Sequence, residues 1–177
     1  MNILKVANIE KDLEEVTAVY CNVHHPENPE QHQEIMKERI RKHAGYPGFK
    51  AIKALDGRGK IVGMAYGYTS MPGQFYRSKI ERFLDEGEKK KWLDDCFEFV
   101  ELAVDPAFQR MKIGSKLHDA LLKESRHAVS LLTTQVDNHA AKSLYESRGW
   151  EVIKSAIRPM ETAPSLTLMG NEQLSRF

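Results

Sequence analysis

The pattern of apolar and polar positions predicts two helices and three strands in the first part of the chain. Leu13, Val16, Val19 and Val23 recur at the spacing of one helix face, which predicts a helix over 9–24. A second and more charged helix is predicted over 30–43. Apolar runs bounded by turn residues predict strands over 2–7, 49–55 and 60–69, with Asp56-Gly57-Arg58-Gly59 as the hairpin turn between the last two.

Further along the chain, strands and helices alternate. Strands are predicted over 97–104, 129–135, 150–153 and 166–169, and helices over 112–126 and 138–148. This order favours an α/β domain with part of its sheet parallel. The highly charged segment 71–95 has a different character, and we expect it to be an exposed insertion with short helices around 76–84 and 89–91.

Length and composition place the chain among globular proteins. With 177 residues, of which 41% are hydrophobic and 29% charged, it can bury a core without disulfide or metal staples. We expect a single domain over 1–177. Only Cys21 and Cys96 are present, and the N-terminus carries no targeting pattern, so we expect reduced thiols and a cytoplasmic protein.

Charge balance argues against two classes of partner. Lys and Arg total 26 against 25 Asp and Glu, so the formal net charge is only +1. Nucleic-acid binding and a polybasic membrane anchor both need clustered positive charge, and we expect neither partner. The apolar runs are also shorter than the roughly 20 residues of a spanning helix. His24, His25 and His32 match no ligand spacing, so we expect a solvated loop there and no metal.

The segment from Val104 to Ser115 predicts a strand, a short loop and the start of a helix. The first N–H groups of a helix lack intrahelical partners and lie at the positive end of its dipole, so they bind phosphate oxygens well. Gly114 would let a ligand approach the main chain, and Arg110 and Lys112 add positive charge. These residues alone fit an anion site and an ordinary strand–helix turn equally well.

Two blocks resemble the GNAT superfamily of N-acetyltransferases. The first is Glu101-Leu102-Ala103-Val104-Asp105-Pro106-Ala107-Phe108-Gln109-Arg110, followed by Ile113-Gly114-Ser115-Lys116-Leu117, which resembles the family's acetyl-coenzyme A signature. The second runs from Thr133 to Trp150 and resembles the family's Asn-x-x-Ala-x-x-Leu-Tyr helix with its Gly-aromatic stop. The resemblance covers about 97–153. It implies the acyl-CoA N-acyltransferase fold, a twisted and partly parallel central sheet flanked by helices.

The resemblance also implies the cofactor contacts. The core around 96–153 would bind acetyl-CoA as acyl donor, and the elements of about 1–95 would form the acceptor side. Lys112 stands where the family's first glycine is usual, and since the main-chain N–H groups would bind the ligand, a lysine is tolerable there if its φ is negative. The main chain would bind the pantetheine arm at Leu102, Ala103 and Val104, and the phosphates at Gln109, Arg110, Met111, Lys112, Ile113, Gly114 and Ser115.

The same resemblance suggests catalytic roles. Tyr145 would be the general acid for the departing thiolate, and would also contact the cofactor; alternatively it is a packed helix tyrosine. Glu98 and Glu101 compete for the role of general base, with Glu98 ranked first, and a water relay is a third option. Asn138 would bind the pantetheine arm or cap its own helix.

We therefore expect direct acetyl transfer to the primary amine of a small molecule in a ternary complex. A peptide or protein amine is the second choice, and a non-catalytic acyl-CoA sensor is the rival from another class. The resemblance leaves a homodimer open. An acidic and aromatic acceptor wall, suited to a cationic amine, is expected from Tyr68, Gln74, Phe75, Tyr76, Glu81, Asp85 and Trp92.

Overall fold

The computed structural model of the chain describes residues 2–6, 8–161 and 164–177. It is a mixed α/β structure whose helices and strands alternate along the second half, as predicted. The strands are β1 (Asn2–Lys5), β2 (Lys50–Leu55), β3 (Ile61–Thr69), β4 (Cys96–Val104), β5 (Val129–Gln135), β6 (Glu151–Ile157) and β7 (Leu166–Asn171). The helices are α1 (Ile9–His24), α2 (Pro29–Ala44), α3 (Phe75–Ile80), α4 (Glu86–Leu93), α5 (Ile113–Lys123) and α6 (His139–Glu146).

Hydrogen bonding places the seven strands in the order β1-β2-β3-β4-β5-β7-β6. Strands β1, β2 and β3 pair antiparallel, and β7 pairs antiparallel with both β5 and β6. Strands β4 and β5 pair in parallel, over Cys96–Glu98 opposite Val129–Leu131. The sheet is therefore mixed, which confirms the predicted fold class.

The chain forms two compact units, and β4 contributes to both. The first unit contains residues up to 68, 100–124 and Phe177, and the second contains 69–99 and 125–176. The expectation of a single domain stays a prediction. In the first unit α1 and α2 share a core with β2 and β3 through Leu13, Val16, Met36 and Ile40, all buried. The apolar periodicity of α1 thus ends in burial of one face.

In the second unit the segment 71–95 is part of the core, so its prediction as an exposed insertion was wrong. Ile80, Leu84, Trp92 and Leu93 are buried there. The Arg77 side chain is buried as well and donates hydrogen bonds to the carbonyls of Ser70 (3.1 Å) and Leu93 (2.9 Å). Most of the charged residues of the segment are exposed, whereas Ile80, Leu84, Trp92 and Leu93 are buried.

Candidate active site

The main chain after β4 forms a turn that side chains hold in place. The Asp105 carboxylate accepts a hydrogen bond from the Ala107 N–H at 3.0 Å, which caps a short 3-10 turn over Pro106–Phe108. The Gln109 side-chain amide donates to the Val104 carbonyl at 3.1 Å. These bonds fix the path that leads from the end of β4 to the start of α5.

The first turn of α5 is held in place by buried apolar side chains. Ile113 and Leu117 are buried in the first unit, while Arg110, Met111 and Lys112 are exposed. Gly63 of β3 permits this close packing, since a Cβ there would lie 3.0 Å from Leu117 Cδ1. The N-terminus of an 11-residue helix therefore faces outward beside two cationic side chains.

Lys112 does not meet the condition of a negative φ under which a lysine would be tolerable at this position. Its φ is 61°, in the left-handed region, and that of Arg110 is 65°. Lys112 precedes α5 as the N-cap residue and makes no side-chain capping bond. A turn with left-handed residues directs successive N–H groups into one concavity, which is an anion-binding arrangement. Lys112 thus takes a conformation that a glycine adopts freely, at the cost of local strain.

The residues of this turn fit the diphosphate of coenzyme A on three counts. The helix N-terminus is outward-facing, the two left-handed residues flank Met111, and both of them carry positive charge. In addition, the register between β4 and β5 runs from Cys96 to Glu98, and Leu102, Ala103 and Val104 lie beyond it. Main chain past the end of a register can pair with an extended ligand in the manner of an added strand.

Glu101 lies in the first unit within a group of charged and aromatic side chains. Its carboxylate is 3.5 Å from Arg39 Nη2 and 3.9 Å from His24 Nε2, and 15% of the side chain is exposed. Arg39 lies over the ring of Tyr20, 5.5 Å from the centroid. The Tyr20 ring stacks on His32 at 5.7 Å. Glu101 is therefore a reachable carboxylate with a fixed cationic neighbour.

Glu98 lies in the second unit in different surroundings. It is 5% exposed, and the Ser70 hydroxyl donates to its Oε2 at 3.3 Å. Ser70 is itself fixed, because its N–H donates to the Cys96 carbonyl and its own carbonyl accepts from Arg77. Burial raises the pKa of the Cys96 thiol, and the negative charge of Glu98 adds to that rise. Cys96 is therefore a buried thiol that packs as a small hydrophobic residue, the usual role of a buried cysteine.

Tyr145 is buried in α6, with 7% of its surface exposed. Its ring contacts Phe99 edge-on at 6.2 Å and Trp150 in a tilted arrangement at 5.8 Å. Its carbonyl closes the end of the helix by accepting from the N–H groups of Arg148 and Trp150. The packed environment that was one of the two interpretations is therefore present, and its role as general acid stays a prediction.

Asn138 caps α6, which was the second of its two predicted roles. Its side-chain oxygen accepts a hydrogen bond from the Ala141 N–H at 3.1 Å. At the other end of the same block Gly149 has a φ of 82°, and its N–H donates to the Glu146 carbonyl. The helix stop predicted from the glycine is thus confirmed. Cofactor binding by Asn138 stays a prediction.

Several residues of the expected acceptor wall are buried and do not reach the surface. Trp92 and Tyr68 are 3% and 1% exposed, and Gln74 bridges the Thr69 carbonyl and the Met71 N–H. Phe75 is exposed, with Lys79 over its ring. Trp92 in particular is a core residue of the second unit, because a Cβ at Gly170 would overlap its ring. The prediction that Tyr68 and Trp92 face the acceptor was based on their charged neighbours in the sequence, whereas both side chains are buried.

Three residues near the predicted bases were missed by sequence reasoning. Arg39 contacts Glu101, Ser70 contacts Glu98, and Tyr20 contacts Arg39. These contacts form only after folding, because the three residues lie outside β4. The predicted solvated histidine loop was also wrong, since His24 ends α1 and His32 lies in α2. No group of three or more His, Cys, Asp or Glu side chains in the described residues could hold a metal ion. Within those residues no helix is long and apolar enough to cross a membrane.

The site combines a mixed sheet with a turn after β4 whose left-handed residues and following helix N-terminus form an arrangement that can bind a phosphate group. The family model described as acetyltransferase (GNAT) family matches residues 13–150, and the chain belongs to that family. It is therefore an acyltransferase of the N-acetyltransferase type, from a family that uses acyl-CoA donors and amine acceptors. This confirms the resemblance and the enzyme class.

Solved structures with the same fold act on different acceptors. An aminoglycoside 6'-acetyltransferase type Ii has a TM-score of 0.68 at 16% identity, over 97% of each chain. A spermidine N-acetyltransferase chimera of Vibrio cholerae SpeG and hSSAT has a TM-score of 0.67 at 16% identity, over 99% of this chain and 98% of that one. A ribosomal-protein-alanine N-acetyltransferase from Brucella melitensis has a TM-score of 0.64 at 19% identity, over 97% and 99%. A comparison with curated proteins finds no match.

Proposed function

We propose that the protein transfers an acetyl group from acetyl-CoA to the primary amine of a small molecule, directly and within a ternary complex. The single observation that supports this best is the left-handed turn at Arg110 and Lys112 before α5, inside a chain of the GNAT family. The main-chain N–H groups of 109–115 would hold the diphosphate, and Leu102, Ala103 and Val104 would hold the pantetheine arm. When bound, acetyl-CoA would supply the acyl thioester that the amine attacks.

The chain's own residues account for the protons. An alkyl ammonium with a pKa of about 10 must lose a proton before it attacks, which costs roughly 4 kcal/mol at pH 7. Glu98 takes that proton, directly or through one water, and the Ser70 hydroxyl keeps its carboxylate oriented. Tyr145 gives its phenolic proton to the leaving sulfur. Overall the amine becomes an amide, the sulfur becomes a thiol, and one proton is released to solvent.

Glu98 and Glu101 divide the two tasks that a carboxylate can perform. Glu98 is the more buried of the two, and the Ser70 hydroxyl orients its carboxylate, so it suits proton transfer. Glu101 is paired with Arg39 and is reachable from solvent, which suits acceptor binding. Glu98→Gln should therefore lower kcat, whereas Glu101→Gln should mainly raise the KM of the amine.

The cofactor is tested by thermal unfolding with acetyl-CoA, using ATP and NAD as controls. Ligand at about 100 times its Kd adds roughly 2.7 kcal/mol, a rise of about 5–10 °C for a chain of this size. Thiol release from acetyl-CoA is then followed with a panel of primary amines. A shift without release by any amine, in protein shown to be folded, would favour the acyl-CoA sensor instead.

A further inference from the structure

We propose that the acceptor is an α-amino acid, with Glu101 binding its ammonium group and Arg39 its carboxylate. This rests on the proposed function and names the class of acceptor. Both residues belong to the first unit, on β4 and α2, and their charged groups are 3.5 Å apart. Glu101 directly precedes Leu102–Val104, the main chain assigned to the acyl-carrying arm, so an amine beside Glu101 is beside the acyl group.

The pair is fixed before any ligand arrives. The Arg39 guanidinium lies over the Tyr20 ring at 5.5 Å, and Tyr20 is in turn held against His24 at 4.2 Å and His32 at 5.7 Å. Burial raises the pKa of the Tyr20 hydroxyl, and the Arg39 charge opposes that rise. An arginine positioned in this way loses little side-chain entropy when it binds a second carboxylate.

Arg39 keeps capacity for a ligand although Glu101 is its neighbour. A guanidinium carries five N–H donors. Arg39 reaches Glu101 Oε2 through Nη2 and also hydrogen-bonds the Tyr20 and Tyr66 side chains, which leaves donors for a ligand. Solvent reaches 41% of the Arg39 side chain and 15% of Glu101. A ligand can therefore meet both groups without breaking the contact between them.

The spacing of the two charges selects a zwitterion. An α-amino acid carries its ammonium and its carboxylate on one carbon, so the two charges lie roughly as far apart as the Glu101 and Arg39 groups. Ammonium on carboxylate and carboxylate on guanidinium then form antiparallel ion pairs. A polyamine would place only positive charge beside Arg39, which is repulsive. A peptide N-terminus would offer Arg39 no carboxylate, because the carboxyl group of the first residue of a peptide is part of an amide.

The experiment compares each amino acid with its own carboxamide. The acceptors are L-alanine, L-lysine, L-glutamate and L-phenylalanine, each beside its carboxamide, and thiol release is measured at saturating acetyl-CoA. The carboxamides have the lower amine pKa, so intrinsic reactivity favours them. We expect a kcat/KM at least about 10-fold higher for one or more free acids, since hydrogen bonds to charged groups contribute about that factor or more.

Two variants of one helix separate recognition from folding. Arg39→Met should raise the KM of the acid about 10-fold more than that of its carboxamide, and so abolish the preference. Arg41→Met is the matched control: Arg41 lies on the same helix and pairs with Glu10 and Glu38 instead, so the preference should persist. Cofactor-induced shifts in unfolding temperature report whether each variant is folded.

The outcomes distinguish this inference from the proposed function. Carboxamides used as well as or better than acids would overturn the amino-acid acceptor and leave the acetyltransferase function in place. An Arg39→Met variant that lowers both acceptors equally would also overturn it. Release of thiol with spermidine but with no amino acid would point to a polyamine. No release with any amine would overturn the proposed function itself.

Discussion

Lys112 offers a direct test of how the phosphate turn is built. With a φ of 61° it occupies a conformation that costs an L-residue roughly 1–2 kcal/mol and a glycine almost nothing. Glycine also makes the unfolded chain more flexible, which costs about 0.4–1 kcal/mol. Lys112→Gly should therefore raise the free energy of unfolding by about 0.5–1 kcal/mol, and the midpoint temperature by about 1–4 °C.

The assay is thermal and urea unfolding of Lys112→Gly beside Lys112→Ala. The alanine variant removes the same charge and keeps the left-handed strain, so it should be no more stable than the wild type. Because the main chain is expected to hold the phosphates, acetyl-CoA affinity should fall only a few-fold in either variant. A glycine variant no more stable than the alanine variant would refute the reasoning. A loss of affinity beyond about tenfold would show that the Lys112 side chain binds the ligand.

Three further changes have expected outcomes. Tyr145→Phe should lower kcat about 10- to 100-fold and keep the acetyl-CoA shift; unchanged turnover would leave Tyr145 a packing residue. Burial lowers the pKa of His43 to about 4, so the folded state keeps it neutral where the unfolded chain binds a proton. Stability should thus fall by about 1–2 kcal/mol between pH 6.5 and 4, after allowance for its partial exposure, and His43→Gln should flatten that part of a urea-midpoint profile. Gly170→Ala should destabilise the protein by about 2 kcal/mol or more because its Cβ would overlap Trp92, in contrast to a neutral Gly57→Ala, whose Cβ meets nothing; equal midpoints would contradict this packing.

The elements that depend on local sequence, namely amphipathic helices, buried strands and glycine turns, were predicted correctly. The apolar spacing of α1 predicted Ile9–His24, and the run of β5 predicted Val129–Gln135. The hairpin turn and the stop at Gly149 followed from the φ that glycine allows. The block from Glu101 to Ser115 carried enough family pattern to predict the GNAT family, which the family match confirms.

Features that depend on distant parts of the chain were not predicted. The segment 71–95 was taken as exposed because its charges outnumber its apolar residues, although Ile80, Leu84 and Trp92 all face the core. The contact between Arg39 and Glu101 could not be predicted from the residues around Glu101, because it depends on how α2 packs. The left-handed φ of Lys112 was also missed, because lysine has no preference for it and the surrounding turn imposes it.

The division of β4 between two units has a consequence for synthesis on the ribosome. The first unit takes residues 100–124 from beyond the whole of 69–99, so it cannot close when its leading 68 residues emerge. Helices α1 and α2 can already pack on β2 and β3, but the face of the strands that α5 covers stays exposed until α5 has been made. Long-range closure of this kind is slow and favours aggregation. A nascent chain stalled before residue 100 should therefore be protease-sensitive over 2–68, and one stalled well past 124 should be protected there.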